Sequence, residues 1–348
     1  MSALRLEDIA EKAGVARSTV SRVVNGHSNV SEYARERVMA VIEATGYIPN
    51  AAARTLASQR SNTIGLVLPH SVSVFFTDPY YPHLIKGVAQ ACNQYDYTLA
   101  LYLAGSKADQ DKLFPRVSRK GLFDGIIVQS GHHADQSLLH DLMGTNLPVI
   151  VAGRPLYEKQ ISYIDIDNVA AAEKAVRHLI SHNRKRIATI TGPLESAVGL
   201  DRLEGYRQAL RSAGMDVDEL LIVESNFTEA GGYTSMQTLL PYRPDAVFAA
   251  SDVMAIGAMQ AVRDAGMSVP QDIAFIGFDD LPLPAVIELH LTTIRQPVVR
   301  FGAQAVKILT DMIKSNSHEI HQEIMETELV IRGSCGCKPL TNGEEMKK

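Results

Sequence analysis

The sequence predicts two fold classes in one chain: a small all-α helix-turn-helix domain, then an α/β domain of two lobes with parallel sheets. Three observations carry this. Residues 5–46 keep a helical apolar period and contain no strand-like run. From Thr63 onward, β-branched runs alternate with amphipathic segments of helix length. Those runs number roughly ten, more than one open sheet holds comfortably, so they divide into two sheets. A chain of 348 residues with 46% hydrophobic content has room for a small domain and a large one, each with its own core.

In the first domain, Ile9, Ala10 and Ala13 make one apolar face. Gly14 supplies the tight turn, and Val15, Val20, Val23 and Val24 continue the core on a second helix. Ser31 caps a third helix that turns Ala34, Val38, Val41 and Ile42 inward. In the second domain the strand runs are IGLVL, TLALYL, GIIVQ, PVIVAG, YIDI, RIATIT, AVFAAS and IAFIGF. Asp167-Asn168 offers a cap before a helix starting near Val169, and Gly214 ends the helix of RLEGYRQALRSA.

Charge is distributed unevenly. Residues 1–60 carry eight Lys/Arg against six Asp/Glu, which leaves 26 against 33 for the rest of a chain whose net charge is −5. A slightly basic head on an acidic body suits phosphate contact at one end only. The second helix of the head turns Arg17, Ser18, Ser21 and Arg22 away from its valines. Such a helix fits the major groove of DNA, where an arginine donates two hydrogen bonds to guanine O6 and N7. Thr19, Asn25 and Ser31 suit phosphate contacts that fix register.

DIAEKAGVARSTVSRVVN, then Val30-Ser31, then GYIPNAAARTLAS at 46–58, resemble the head and hinge of the lac-repressor family, and the likeness runs to about Ser334. The resemblance implies a helix at 50–58 that forms on DNA beside its twin from a second subunit. Asn50 is a reasonable cap for it, and so short a helix is marginal alone. Ala53 would let the two hinge helices approach, and Leu56 would be the wedge in the minor groove; without the resemblance, Leu56 reads as linker packing. The expected organisation is a head at 1–46, hinge and linker at 47–61, an effector and dimerisation domain at 62–338, and a tail at 339–348. The resemblance makes the third part a periplasmic-binding-protein-like body whose lobes run about 62–161 plus 291–322 and 162–290 plus 323–338.

In such bodies ligands sit outside the carboxyl ends of strands. Polar residues just after the strand runs are therefore the candidates. Asp78 can accept hydroxyl donors, and Tyr80 or Tyr81 can stack on a ring, although Tyr81 also reads as lobe packing. Gln129 closes GIIVQ and Arg154 follows PVIVAG. Ser196 and Arg202 lie in GPLESAVGLDRLEGY, where the family uses the arginine to hold ligand oxygens. Phe227 matches the family's aromatic lid. Ser251 and Asp252 follow AVFAA, with Asp252 reading equally as a helix cap, and Asp279 ends IAFIGF. Aromatic faces with carboxylates and an arginine suit a polyol. Gly153 stands where some relatives carry a ligand-binding acid.

The sequence holds no P-loop, nucleophile elbow or HExxH, and no cofactor is expected. HEIH at 318–321 and Cys335-Gly336-Cys337 fit no complete four-ligand spacing, so a metal is set aside. His132-His133 falls on a presumed loop. The three cysteines give no disulfide framework, no apolar run spans a membrane, and the N-terminus lacks the apolar centre of a signal peptide. A cytoplasmic protein is expected. The tail KPLTNGEEMKK has no apolar heptad, so a homodimer on a palindromic operator is expected rather than a coiled-coil tetramer. The function expected is a ligand-controlled, DNA-binding repressor that is not an enzyme. A sugar inducer is the first reading and a purine or metabolite corepressor the second. A transport protein with the same body would not need the head, and a glycosidase would need paired acids at work in the cleft.

Overall fold

In the head, apolar spacing and two left-handed turns produce three helices. The computed structural model describes residues 4–24, 29–47, 60–68, 72–119, 121–129, 136–157, 160–282, 290–315 and 319–337. Helix α1 (Leu6–Ala13) stops at Gly14, whose φ of 60° few side chains tolerate, and α2 (Arg17–Val24) follows at once. Helix α3 (Glu32–Thr45) starts at Ser31, whose hydroxyl accepts the Ala34 amide at 3.4 Å. Ile9, Ala10, Ala13, Val20, Val23, Val38 and Tyr47 form its buried core, with Val15, Val24, Val41 and Ile42 packed at the margin. Asn25, Asn50, Ala53 and Leu56 lie outside the described residues.

The chain divides into two units, the first holding residues 1–62 and 119–124. The second contains two six-stranded sheets. The first sheet takes β1 (Thr63–Leu68), β2 (Thr98–Leu103), β3 (Gly125–Gln129), β4 (Val149–Ala152), β5 (Ser162–Ile166) and β11 (Gln322–Met325). Their order is β11-β5-β4-β3-β1-β2, parallel throughout. The second takes β6 (Ile187–Thr191), β7 (Ile222–Glu224), β8 (Ala246–Ala249), β9 (Ala274–Asp279), β10 (Thr292–Arg295) and β12 (Glu328–Val330), in the order β12-β10-β9-β8-β6-β7. Only β12 runs antiparallel there. The central strands β3, β4, β6, β8 and β9 are buried along their length, as parallel strands covered on both faces must be.

Helices cover those faces. Around the first sheet lie α4 (Val72–Thr77), α5 (Tyr80–Gln94), α6 (Lys107–Val117), α7 (Gln136–Met143) and α12 (Val298–Ser315), with α12 packed on α5. Around the second lie α8 (Asn168–Ser181), α9 (Ala197–Ser212), α10 (Glu229–Leu239) and α11 (Asp252–Asp264); α8 packs on α9 and α10 on α11. Asp167 caps α8 through the Ala170 amide at 2.9 Å, and Gly214, at φ 68°, follows the end of α9.

The expected lobe boundaries need correction at three places. Strand β5, assigned to the second lobe, pairs in the first sheet; β10, assigned to the first, pairs in the second; and most of β11 falls back to the first. Periodicity marks a strand but not its sheet, and here the chain changes lobe just after a strand each time. No described helix is long and apolar enough to cross a membrane.

Candidate functional site

On the head, α2 leaves Arg17, Ser18 and Arg22 exposed, while Thr19 and Ser21 are half-buried at its margin. Arg17 Nε bonds Glu7 Oε1 at 2.7 Å, with both side chains largely in solvent. Such a pair contributes little and exchanges readily for a stronger acceptor. Ser31 spends its hydroxyl on the α3 cap, which leaves a helix N-terminus, an anion-favouring feature, at the surface.

In the body, the strand ends of the two sheets face a cavity of about 380 Å³. Its wall includes Asp78, Tyr80, Tyr81, Gln129, Ser196, Arg202, Phe227, Ser251 and Asp279. Nine expected residues thus meet although they are spread over 200 positions of sequence. Asp165, Asn168, Asn226 and Gln296, not among the expected ligand residues, share the same wall. Asp165 and Gln296 follow the expected pattern of polar groups at or just after a strand, and that pattern was the available signal.

Arg202 organises the floor. Its α9 backbone stands in the second lobe, and its guanidinium lies 3.5 Å over the Phe278 ring. Nε donates to Asn168 Oδ1 at 2.9 Å, Nη1 donates to the Ala250 carbonyl, and Asp279 Oδ1 stands 3.7 Å away. Burial holds the Arg202 pKa below the usual guanidinium range, opposed by Asp279, Tyr80 and Asp165. Asp279 ends β9 at φ 121°, a conformation few side chains adopt, and accepts Gln296 Nε2. Burial raises its pKa and Arg202 pulls it back. Burial likewise pushes Asp78 and Asp165 up to about 6, although Asp78 accepts the Tyr80 amide and Asp165 those of Ile166 and Arg154. Three carboxyl groups therefore surround one guanidinium.

Aromatic groups complete the wall. Tyr80 meets Tyr81 edge to face at 5.5 Å, and Tyr81 is buried, combining the two expected roles of packing and lining. Phe227 projects from a backbone at φ 58°, another strained position at the site. Ser196 and Ser251 reach the cavity, but their hydroxyls cap α9 and α11 through the amides of Gly199 and Met254.

Two expected ligand residues do not line the cavity. Asp252 is fully buried behind it, accepting the Thr293 hydroxyl at 2.6 Å and the Asp280 amide at 2.8 Å. Ser251 takes the α11 cap, one of the two roles expected of Asp252, and the Asp252 carboxylate instead ties α11 to β10. Arg154 is diverted to Asp201 on α9 by two hydrogen bonds, Nη2–Oδ1 at 2.6 Å and Nε–Oδ2 at 3.1 Å, which bridge the lobes.

Comparison with known proteins agrees with this architecture. Residues 5–50 match the model of bacterial regulatory proteins of the lacI family, and 176–335 match that of the periplasmic binding protein-like domain. The transcriptional regulator CelR of Thermobifida fusca is 38% identical, over 94% of this chain and 97% of that protein. A CelR–cellobiose complex superposes with a TM-score of 0.74 at 35% identity, covering 95% of this chain and 99% of that one. The lac repressor dimer bound to operator and the anti-inducer ONPF gives 0.81 at 25% identity, over 96% and 99%. The chain belongs to the lacI family of bacterial regulatory proteins and is a DNA-binding transcriptional regulator.

Proposed function

We propose that the protein is a cytoplasmic homodimeric repressor whose operator affinity falls when a neutral sugar enters the cleft, and that it catalyses no reaction. The observation that carries this reading is Arg202, buried with Asp165 and Asp279 and faced by the half-buried Asp78, between aromatic walls. Hydroxyl groups both donate and accept, so a polyol can satisfy carboxylates and a guanidinium together, while Tyr80 and Phe227 cover the apolar faces of its ring. Three acids around one cation disfavour a phosphorylated or carboxylated effector. The volume suits a mono- or disaccharide, and the likeness to a cellobiose-bound regulator points the same way.

The ligand would bridge lobes that Arg154–Asp201 already joins. A change in their relative rotation would separate paired hinges across the dimer and weaken the grip of Arg17 and Arg22 on base edges. The test is a thermal-shift series with neutral mono- and disaccharides including cellobiose, their phosphates, and purine bases. A neutral sugar at a hundredfold excess over its Kd adds about 2.7 kcal/mol and raises Tm. A shift with purines alone would replace the sugar reading by corepression.

A further inference from the structure

Outside the cleft, the fold brings together three groups that lie far apart in sequence. His178 stands on α8, and Cys335 and Cys337 follow β12. His178 Nε2 lies 3.1 Å from Cys337 Sγ, and the ligand atoms of all three residues are within 4.8 Å of one another. Gly336, at φ 82°, makes the left-handed turn that lets both sulfurs serve one point; a side chain there would be strained.

We propose that His178, Cys335 and Cys337 bind a thiophilic divalent cation of the zinc class, with a fourth position open to water or to His182. Tetrahedral zinc with Zn–S near 2.3 Å and Zn–N near 2.0–2.1 Å needs its ligand atoms about 3.6–3.8 Å apart, between the 3.1 Å of the His178–Cys337 pair and the 4.8 Å that bounds the three. His182 lies one helical turn from His178, and their ring centroids are 4.4 Å apart. Cys335 is buried, whereas His178 and Cys337 are half-buried and give the ion a way in. A bound cation would take both sulfurs as thiolates and displace their protons.

The ion would pin the segment after β12 to α8, whose first residue, Asn168, bonds Arg202 in the cleft. The sequence spacing concealed this site because the third ligand comes from a helix some 157 residues before Cys335, not from the nearby HEIH.

The test uses the reduced full-length protein, stripped with a chelator and titrated with Co2+, then with Zn2+. Wild type should bind one ion, show thiolate-to-cobalt charge-transfer bands and intense tetrahedral d–d bands, and lose both when Zn2+ displaces cobalt. Zn2+ should also raise Tm. Cys337→Ser and His178→Ala should each lower Zn2+ affinity more than about 100-fold, beyond the 10–100-fold that outer-shell partners supply. Cys92→Ser, on α5 in the first lobe, should leave the spectra unchanged. Circular dichroism and the metal-free Tm of each variant separate a lost ligand from a lost fold. An octahedral cobalt spectrum without charge transfer, or affinity unchanged in both folded variants, would overturn the proposal.

Discussion

The head and the cleft place charge in opposite settings. Arg17 and Arg22 stand in solvent on a helix whose other face makes the core. Arg202 and the acids Asp165 and Asp279 are buried, and their positions depend on strand ends from both sheets. In the head, binding chemistry is separable from stability. In the cleft the two are one problem, because Arg202, Asp165 and Asp279, which await a ligand, are also buried charges needing partners.

The largest effect should come from Arg202→Ala. It leaves Asn168, the Ala250 carbonyl and Asp279 without their partner, so unfolding in urea should show a loss of about 3–5 kcal/mol along with loss of the sugar response. Asp252→Ala, behind the wall, should cost about 1–3 kcal/mol from the unpaired Thr293 hydroxyl and Asp280 amide, yet keep sugar affinity. Equal loss of sugar binding in both would show that the cleft does not distinguish lining from support.

Arg17→Ala should do the reverse. Stability should stay within about 0.5 kcal/mol, because the side chain is exposed. Binding to the cognate operator should weaken by about 1–3 kcal/mol, with relaxed preference at one symmetric base pair. Equal weakening on random DNA would make Arg17 a phosphate contact.

This contrast also explains what the sequence made legible. The reading helix is local: some twenty consecutive residues contain its core, turn and polar face. The cleft is read through a rule about strand ends, which finds Asp78, Arg202 and Asp279 but cannot tell a lining group from one behind the wall. Asp252 shows the limit, since only the position of Thr293 on β10 decides where its carboxylate is used. Arg154 shows it again, because its partner Asp201 comes from the other lobe. The lobe boundaries failed for the same reason: a strand's neighbours are not written in its own residues.

Asp78→Asn should have a smaller effect that depends on pH. The folded Asp78 pKa of about 6 is above its ordinary value of 3.8, so the folded state holds the proton more tightly than the unfolded chain. The stability this confers is full below about 3.8 and is lost as pH rises through 6. Asparagine does not titrate. The Tm difference, variant minus wild type, should therefore grow more positive across that window and level off above it; a flat difference would place Asp78 in ordinary solvent. Smallest of all, Arg154→Ala should change stability by less than about 1 kcal/mol and sugar affinity by less than about fivefold, read by denaturation and calorimetry.

In the proposed function, cleft and operator are coupled. A ligand shifts that equilibrium only by its differential affinity for the two states, and the coupling is reciprocal. The direct measurement titrates an operator selected from random DNA with and without the sugar that raises Tm, then titrates that sugar with and without the operator. Sugar should weaken operator binding, operator should weaken sugar binding by the same factor, and salt-sensitive binding to random DNA should persist. Operator affinity that sugar leaves unchanged, or tightens, would contradict the account.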